Sequence, residues 1–318
     1  MDHGTAGPDR LRLFAAALHR RLTSAPHWLI RTYVLILSAI SRNLLSHRNQ
    51  QRVRNAMARL PWPPLAFAPR SIVLGHSVEV RLVPHLGEFD EHALYSRHID
   101  YERAVFRWLE PQASQYDLIV EIGANVGIYT VFFDTLRRRR PEREQLIVSF
   151  EPSPEAYRRL QRNLRINGVT TKAVPAAVGT EAGQRVFYEP AGRLTNGSLV
   201  RAFPAYFTEA INETVVEVVA ARDLEQWLAP ARKALIKLDV EGFEPELLAA
   251  LAPLLEKYRP DLLIEVMPST AEALEANATL ARYDRSLITA EGLRPEKAFY
   301  FAPPYFDWFL TWSRPADA

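Results

Sequence analysis

Four acidic residues stand where apolar runs stop: Glu121 after "DLIV", Glu151 after "QLIVSF", Asp239 after "ALIKL" and Glu265 after "DLLI". Short apolar runs bounded by turn residues predict buried strands. Behind Glu121 comes Gly123-Ala124-Asn125-Val126-Gly127, and behind Asp239 comes Glu241-Gly242. Two glycines so close to a strand end cost conformational entropy unless the backbone must turn tightly or let something approach. Carboxylates gathered on one sheet edge predict a ligand that is cationic or rich in hydroxyls. The loop has neither the G-x-G-x-x-G spacing of a dinucleotide site nor the Lys and Ser/Thr of a P-loop.

From Tyr116 onward, predicted strands alternate with predicted helices. "DLIVEIG", "QLIVSFEP", "TKAVPAAVG", "ALIKLDVEG" and "DLLIEVMP" read as five strands, with "QRVFYEP" and "TVVEVVA" as an inserted pair. "AFYFA" and "DWFLTW" are expected to close the sheet. Helices are expected at "GIYTVFFDTLRRRR", "SPEAYRRLQRNLRING" and "PELLAALAPLLEKY"; the second carries a Ser153 cap, Pro154 at its first position and an Asn167-Gly168 stop. Such alternation predicts a doubly wound, mostly parallel seven-stranded α/β sheet, whose ligands bind beyond the carboxyl ends of the strands. Three segments follow: a basic amphipathic helical stretch over 1–60, a hairpin and lead-in helix ("DYERAVFRWLEP") over 61–115, and the main domain over 116–318. "LPWPPLAFAP" marks the first break.

The formal net charge of +2 conceals an asymmetry: eleven arginines and no acid lie between Arg10 and Val78. The longest uncharged run there, Thr32–Ser41, is ten residues, well short of the roughly 20 that a bilayer requires. Such a segment packs on its own protein, lies on an anionic membrane or grips an acidic partner. There is no cysteine, which excludes disulfides, thiolate metal sites and a cysteine nucleophile and fits a cytoplasmic setting. All eight histidines fall within the first 98 residues. The tryptophans do not interleave with basic residues, so nucleic acid is not an expected partner. "APPYF" (302–306) resembles the motif of enzymes that methylate nucleobase amines, but Ala302 stands where that motif needs an acid or amide, 63 residues after Asp239.

A ligand that suits this edge is S-adenosylmethionine, with a sulfonium, an ammonium, a ribose and no phosphate. Glu151, ending the second strand, is placed to accept from both ribose hydroxyls. Glu121 and Asp239 favour the cationic end by charge. "VEIGANVGIYT", "SFEPSPEAYRRLQRNLRING", "AAVGTEAGQRVFY" and "IKLDVEGFEPELL", in that order, resemble the FkbM-type methyltransferases. The resemblance covers about residues 74–312, with "LGHSVEVRL" and Tyr101-Glu102 ahead of the first strand. It departs at Glu121, where the family usually has Asp. It implies a class I, Rossmann-like fold and S-adenosylmethionine as donor. It also implies donor contacts at Glu121, Gly123, Ala124, Asn125, Gly127, Glu151, Pro152, Ser153, Ala177 and Asp239.

Family members of this kind are mostly O-methyltransferases, so the expected reaction is O-methylation of a hydroxyl on a glycan, sugar or polyketide-like product. An N-methyltransferase, or a non-catalytic module docked through residues 10–60, are the competing readings. A hydroxyl acceptor benefits from a general base, and residues 99–318 hold no histidine. Asp239 is the first candidate, with Glu241 or His98 as rivals. Nothing in the spacing assigns a metal site.

Overall fold

The computed structural model describes residues 25–58, 60, 62–63, 65–192, 194 and 196–313. The expected helix over 11–22 and Thr195 of the "TNGS" turn lie outside the described residues. The chain divides into two compact units. The first holds the described residues up to Ile72 together with Val83–Ile99; the second holds Val73–Leu82 and Asp100 onward.

In the first unit, the helix His27–Leu44 buries Ile30, Val34, Ser38 and Ser41, spaced so that they share one face. Ile30 and Val34 pack with Met57, Trp62, Leu65, Phe67, Leu86, Leu94 and Tyr95. Ser38 and Ser41 bury their hydroxyls by donating to the carbonyls of Leu94 and Tyr95 at 2.5 and 2.8 Å. Arg42 donates to Ala93, Ser96 and Ser71 carbonyls. A second helix spans His47–Met57.

The hairpin of β1 (Arg70–Leu74) and β2 (Val78–Leu82) leads into the second unit. There the strands are β3 (Leu118–Ile122), β4 (Leu146–Phe150), β5 (Lys172–Val174), β6 (Ala177–Gly179), β7 (Gly183–Pro190), β8 (Ile211–Ala220), β9 (Ala234–Leu238), β10 (Asp261–Glu265), β11 (Tyr283–Thr289), β12 (Gly292–Glu296) and β13 (Asp307–Trp312). The main sheet has eight strands, in the order β12-β11-β13-β10-β9-β3-β4-β5. Five are parallel, and β13, β11 and β12 pair antiparallel. The α/β expectation therefore stands, but the seven-stranded count gives way to a mixed sheet of eight.

Two local effects explain the difference. "YDRSLITAEGLRPE" folds into the β11–β12 hairpin around Gly292, whose φ is +116°; its polar faces hid it from an apolar-run reading. "AFYFA" is not a strand: Phe299 and Tyr300 instead pack their rings on Trp308, at 5.1 and 5.4 Å. The expected third strand also splits, because Pro175 has no N–H to continue a ladder. Its first half is β5, and its second half, β6, joins β8 and β7 in a separate three-stranded sheet.

Alternation along the strands sorts the residues of the main sheet. Leu118, Val120 and Ile122 of β3, Ile236 and Leu238 of β9, and Leu262 and Ile264 of β10 join one core with Leu247, Leu248 and Leu251 of the helix Glu244–Tyr258. The opposite face is covered by the helices Arg103–Gln112 and Ile128–Arg138, through Phe106–Phe132 and Trp108–Phe309 ring contacts at 4.9 and 4.3 Å. That second face carries Glu121, Lys237, Glu265 and Asp307. Glu121 lies beside Lys237 in the β3–β9 register, and Glu265 lies opposite Asp307 in the β10–β13 register.

Strand order reverses between β3 and β9, and their ends touch: Asp239 N donates to Ile122 O at 3.0 Å. A Cβ on Gly123 would lie 1.8 Å from the Asp239 carbonyl oxygen, at a φ of +88°. Gly123→Ala is expected to destabilise the protein by at least about 4 kcal/mol, the range of a clash in a packed interior. Gly292→Ala, at a comparably strained φ with nothing within 4 Å, is expected to lose only about 1–2 kcal/mol. Urea unfolding of both variants checks this; equal losses would mean that the close approach of the two strand ends is not what requires glycine.

Candidate active site

The loop after β3 turns sharply: Gly123, Asn125 and Gly127 all have positive φ, at +88°, +49° and +82°. Gly123 N and Ala124 N donate to Phe150 O at 3.0 and 2.9 Å, tying the loop to β4. Gly127 lets the next helix approach closely, since a Cβ there would lie 2.1 Å from Leu160 Cδ1. Asn163 donates to Val126 O at 2.8 Å and closes the loop from behind.

Glu151 sits beside this loop, buried, with its carboxylate accepting from Asn125 N at 2.6 Å and Ser153 N at 2.8 Å. Ser153 in turn caps the helix Pro154–Ile166, its Oγ accepting from Ala156 N. Burial pushes the Glu151 carboxyl up to about 8, against the pull of those two N–H groups. Asn125 Oδ1 and Glu189 Oε1 are buried with no hydrogen-bond partner among the described residues. Glu189 is close enough to Glu151 for their charges to interact. Buried acceptors without donors are costly, and they fit a ligand rich in hydroxyl and amino groups. Ala124 is buried at the loop and Pro152 is half-buried. Ala177 packs into the core from β6.

Around the ends of β9, β10 and β13 lies an acidic cluster. Lys237, 3% exposed, places Nζ 2.9 Å from Asp239 Oδ2 and 4.4 Å from the centre of the Tyr129 ring. The Tyr129 hydroxyl donates to Glu102. Glu121 accepts from Thr130 Oγ1 at 2.5 Å and from Ser149 Oγ at 2.9 Å. Burial pushes Glu121 up to about 7, opposed first by the Lys237 charge. Burial alone would lower the Lys237 ammonium, but Asp239, Glu102 and Glu121 outweigh it and hold the charged form above the ordinary range. Glu102, Glu241, Glu265 and Asp307 all shift upward, through burial first and mutual repulsion second. Oxygens of Asp239, Glu241 and Glu265 converge to within 4.8 Å of one another.

The backbone is strained where these groups meet. Glu102 and Glu241 have φ of +44° and +54°, conformations that cluster at functional sites because surrounding structure must hold them. Glu244 helps, accepting from Val240 N and Gly242 N at 2.9 and 3.0 Å. Asp239 and Glu241, expected from sequence, thus share one cluster with Glu265. His98 belongs to the first unit, exposed, its ring edge-on to His47 at 6.2 Å.

Sequence reasoning missed Lys237, Asp307, Tyr129 and the role of Glu102. One signal was present: a lysine inside "ALIKL" is too costly to bury unpaired and so announces a carboxylate partner.

Comparison with known proteins follows from this geometry. The "Methyltransferase FkbM domain" family matches residues 121–287. Methyltransferase sdnD of Sordaria araneosa is 30% identical over 146 residues, covering 45% of this chain and 49% of its own. The chain thus spans about half the length of that curated relative. Among solved structures, FkbM from Methylobacillus flagellatus KT matches at 16% identity and a TM-score of 0.39, over 62% of this chain and 43% of its own. The SAM-dependent methyltransferase from Agrobacterium tumefaciens matches at 12% identity and a TM-score of 0.41, over 81% and 74%. S-adenosylmethionine is the methyl donor that domains of this family take. With its glycine loop, its Glu151 and its "IKLDVEGFE" strand end all inside the matched span, the chain belongs to the FkbM methyltransferase family.

Proposed function

We propose that the chain transfers a methyl group from S-adenosylmethionine to a hydroxyl of a sugar, glycan or polyketide-like acceptor. The observation that carries this reading is Glu151, buried beside the loop with its carboxylate fixed by two backbone N–H groups and orphaned acceptors nearby. Bound at the loop, the donor would supply an electrophilic methyl carbon on a sulfonium. Glu151 would accept from the ribose hydroxyls, and Asn125 Oδ1 and Glu189 Oε1 would accept from further donors of the ligand. Asp239 would receive the acceptor's proton as its oxygen–carbon bond forms and the sulfur–carbon bond breaks, the sulfur keeping the electron pair. Lys237 occupies Asp239 Oδ2 and fixes the carboxylate's direction, so its second oxygen can meet the hydroxyl. Alignment of this kind supplies much of the acceleration in bimolecular transfers.

Calorimetric titration tests the donor half. A carboxylate accepts two hydroxyl hydrogen bonds, and a proton competes with them. With Glu151 raised to about 8, S-adenosylmethionine affinity is expected to rise about tenfold per pH unit up to about pH 8 and then level off. Glu151→Gln should bind at least about tenfold more weakly, with no such slope. Equal binding by both proteins at pH 6.5 and 8.5 would contradict the assignment. Release of S-adenosylhomocysteine over a panel of polyols, glycans and macrolactones, lost in Asp239→Asn, would extend it to the acceptor half; release with amine acceptors alone would favour N-methylation.

A location accompanies the chemistry. The helix His27–Leu44 leaves Trp28, Ile36 and Leu44 exposed at 65%, 57% and 77%, on a segment with eleven arginines and no acid. No helix among the described residues is long and apolar enough to cross a membrane. This pattern fits a cytoplasmic protein that lies on an anionic membrane surface. Co-sedimentation with phosphatidylserine vesicles, abolished in Trp28→Glu/Ile36→Glu, is expected. A protein that stays in the supernatant at low salt would contradict this location.

A further inference from the structure

Nothing in the spacing of the sequence assigned a metal, yet the fold brings Asp239, Glu241 and Glu265 together from the ends of β9 and β10. We propose that these three carboxylates bind a divalent cation, of the Mg²⁺ or Mn²⁺ kind, which holds an oxygen of the acceptor.

The geometry of the three ligands comes first. One oxygen from each lies within 4.8 Å of the other two. Octahedral coordination at about 2.1 Å places neighbouring ligand oxygens about 3 Å apart and opposite ones about 4.2 Å apart. The three oxygens therefore need only a small contraction to share one ion. Three protein ligands leave about half the shell open, as in Mg²⁺ sites that complete their coordination with water and substrate oxygens.

A separate observation comes from the neighbouring strand. Asp307 opens β13 directly opposite Glu265, so their side chains share a face. It is only 9% exposed. Among the described residues its carboxylate has no hydrogen-bond or ion-pair partner. Its charge is felt by Glu265 and Tyr129, and it feels Asp239 and Glu102 in turn, which aims it at the cluster. Hydrogen-bonded neighbours account for Glu121, and Lys237 and Tyr129 account for one oxygen each of Asp239 and Glu102. For Glu265 and Asp307 no such compensation appears. A buried carboxylate without a counter-charge is among the most expensive arrangements in a protein, and a divalent ion among these acids removes that cost. Asp307 would then stand behind the ligands and orient them through bound water.

The ligand set also selects the metal. It is entirely oxygen, the chain has no cysteine, and residues 99–318 hold no histidine. Hard cations suit such a site, and Zn²⁺ or Cu²⁺ do not. An acceptor that offers a second oxygen next to the reactive hydroxyl, such as a vicinal diol or an α-hydroxy carbonyl, would chelate the open positions. This deepens the proposed methyl transfer by naming how the acceptor is held. Cation binding is measured without any methyl donor, so the two readings fail separately.

The test is titration of the full chain, stripped with chelator, with Mn²⁺ followed by electron paramagnetic resonance, and with Mg²⁺ in competition. One site per chain is expected, displaced by Mg²⁺ at millimolar concentration. Glu265→Gln should weaken it by at least about tenfold and Asp307→Asn by a smaller factor, while the exposed Glu256→Gln leaves it unchanged. A folded wild type that binds neither ion, or Glu265→Gln that binds as tightly as wild type, overturns the proposal. Should Glu265→Gln fail to fold, Fe²⁺-directed cleavage of the wild type decides. Cuts near 239–242 and 265 support the site, and cuts only elsewhere overturn it.

Discussion

A single buried ammonium organises the working end of this protein. Lys237 lies in the middle of an apolar strand, 3% exposed, and no water is close enough to solvate it there. It is stable only because Asp239, Glu121 and Glu102 surround it and the Tyr129 ring lies against it. The same contact stabilises the acids, which would otherwise repel one another across the ends of β3 and β9. Neither side of the arrangement is tolerable alone, so the strand ends, the helix Ile128–Arg138 and the segment before Arg103 are held in one register.

From that constraint the two halves of the candidate site follow. On one side of β3, the glycine loop and Glu151 form a neutral-to-acidic cradle whose polar atoms are turned inward and partly without partners. On the other side, Asp239 leaves one oxygen free and stands with Glu241 and Glu265. The contact between Gly123 and the Asp239 carbonyl joins the two halves directly. A donor on the loop and an acceptor at the carboxylates would meet across a junction that has no room for a side chain. Strained backbone at Glu102, Asn125 and Glu241 lies on both sides of it, consistent with a surface shaped for a ligand rather than for stability.

Much of this could be read from the chain before it was folded. The apolar runs located β3, β4, β9 and β10, because buried parallel strands need nothing else. The glycines of 123–127 and the acids that end those strands located the donor side. Other features were hidden for physical reasons. The β11–β12 hairpin has one polar face and sits at a sheet edge, so its apolar signal is weak. Asp307 opens a strand that pairs antiparallel with β10, and only that register brings it opposite Glu265. Glu102 is far from the other acids in sequence and reaches them through the hydroxyl of Tyr129. Convergence of this kind depends on topology, whereas periodicity reports only on neighbours along the chain.

The most direct test of this account is the stability of Lys237→Met as a function of pH. Methionine fills the space but removes the charge. At pH 8 the freed carboxylates lose their counter-ion, and a loss of about 3–5 kcal/mol relative to wild type is predicted. Those carboxyls would then have folded-state affinities for protons raised further above their unfolded values, so they stabilise the fold below about pH 4.5 and lose that contribution as pH rises. The deficit should therefore shrink steadily toward pH 5 in urea unfolding. A deficit that is the same at pH 5 and pH 8 would show that packing, and not the buried ammonium, holds the strand ends together.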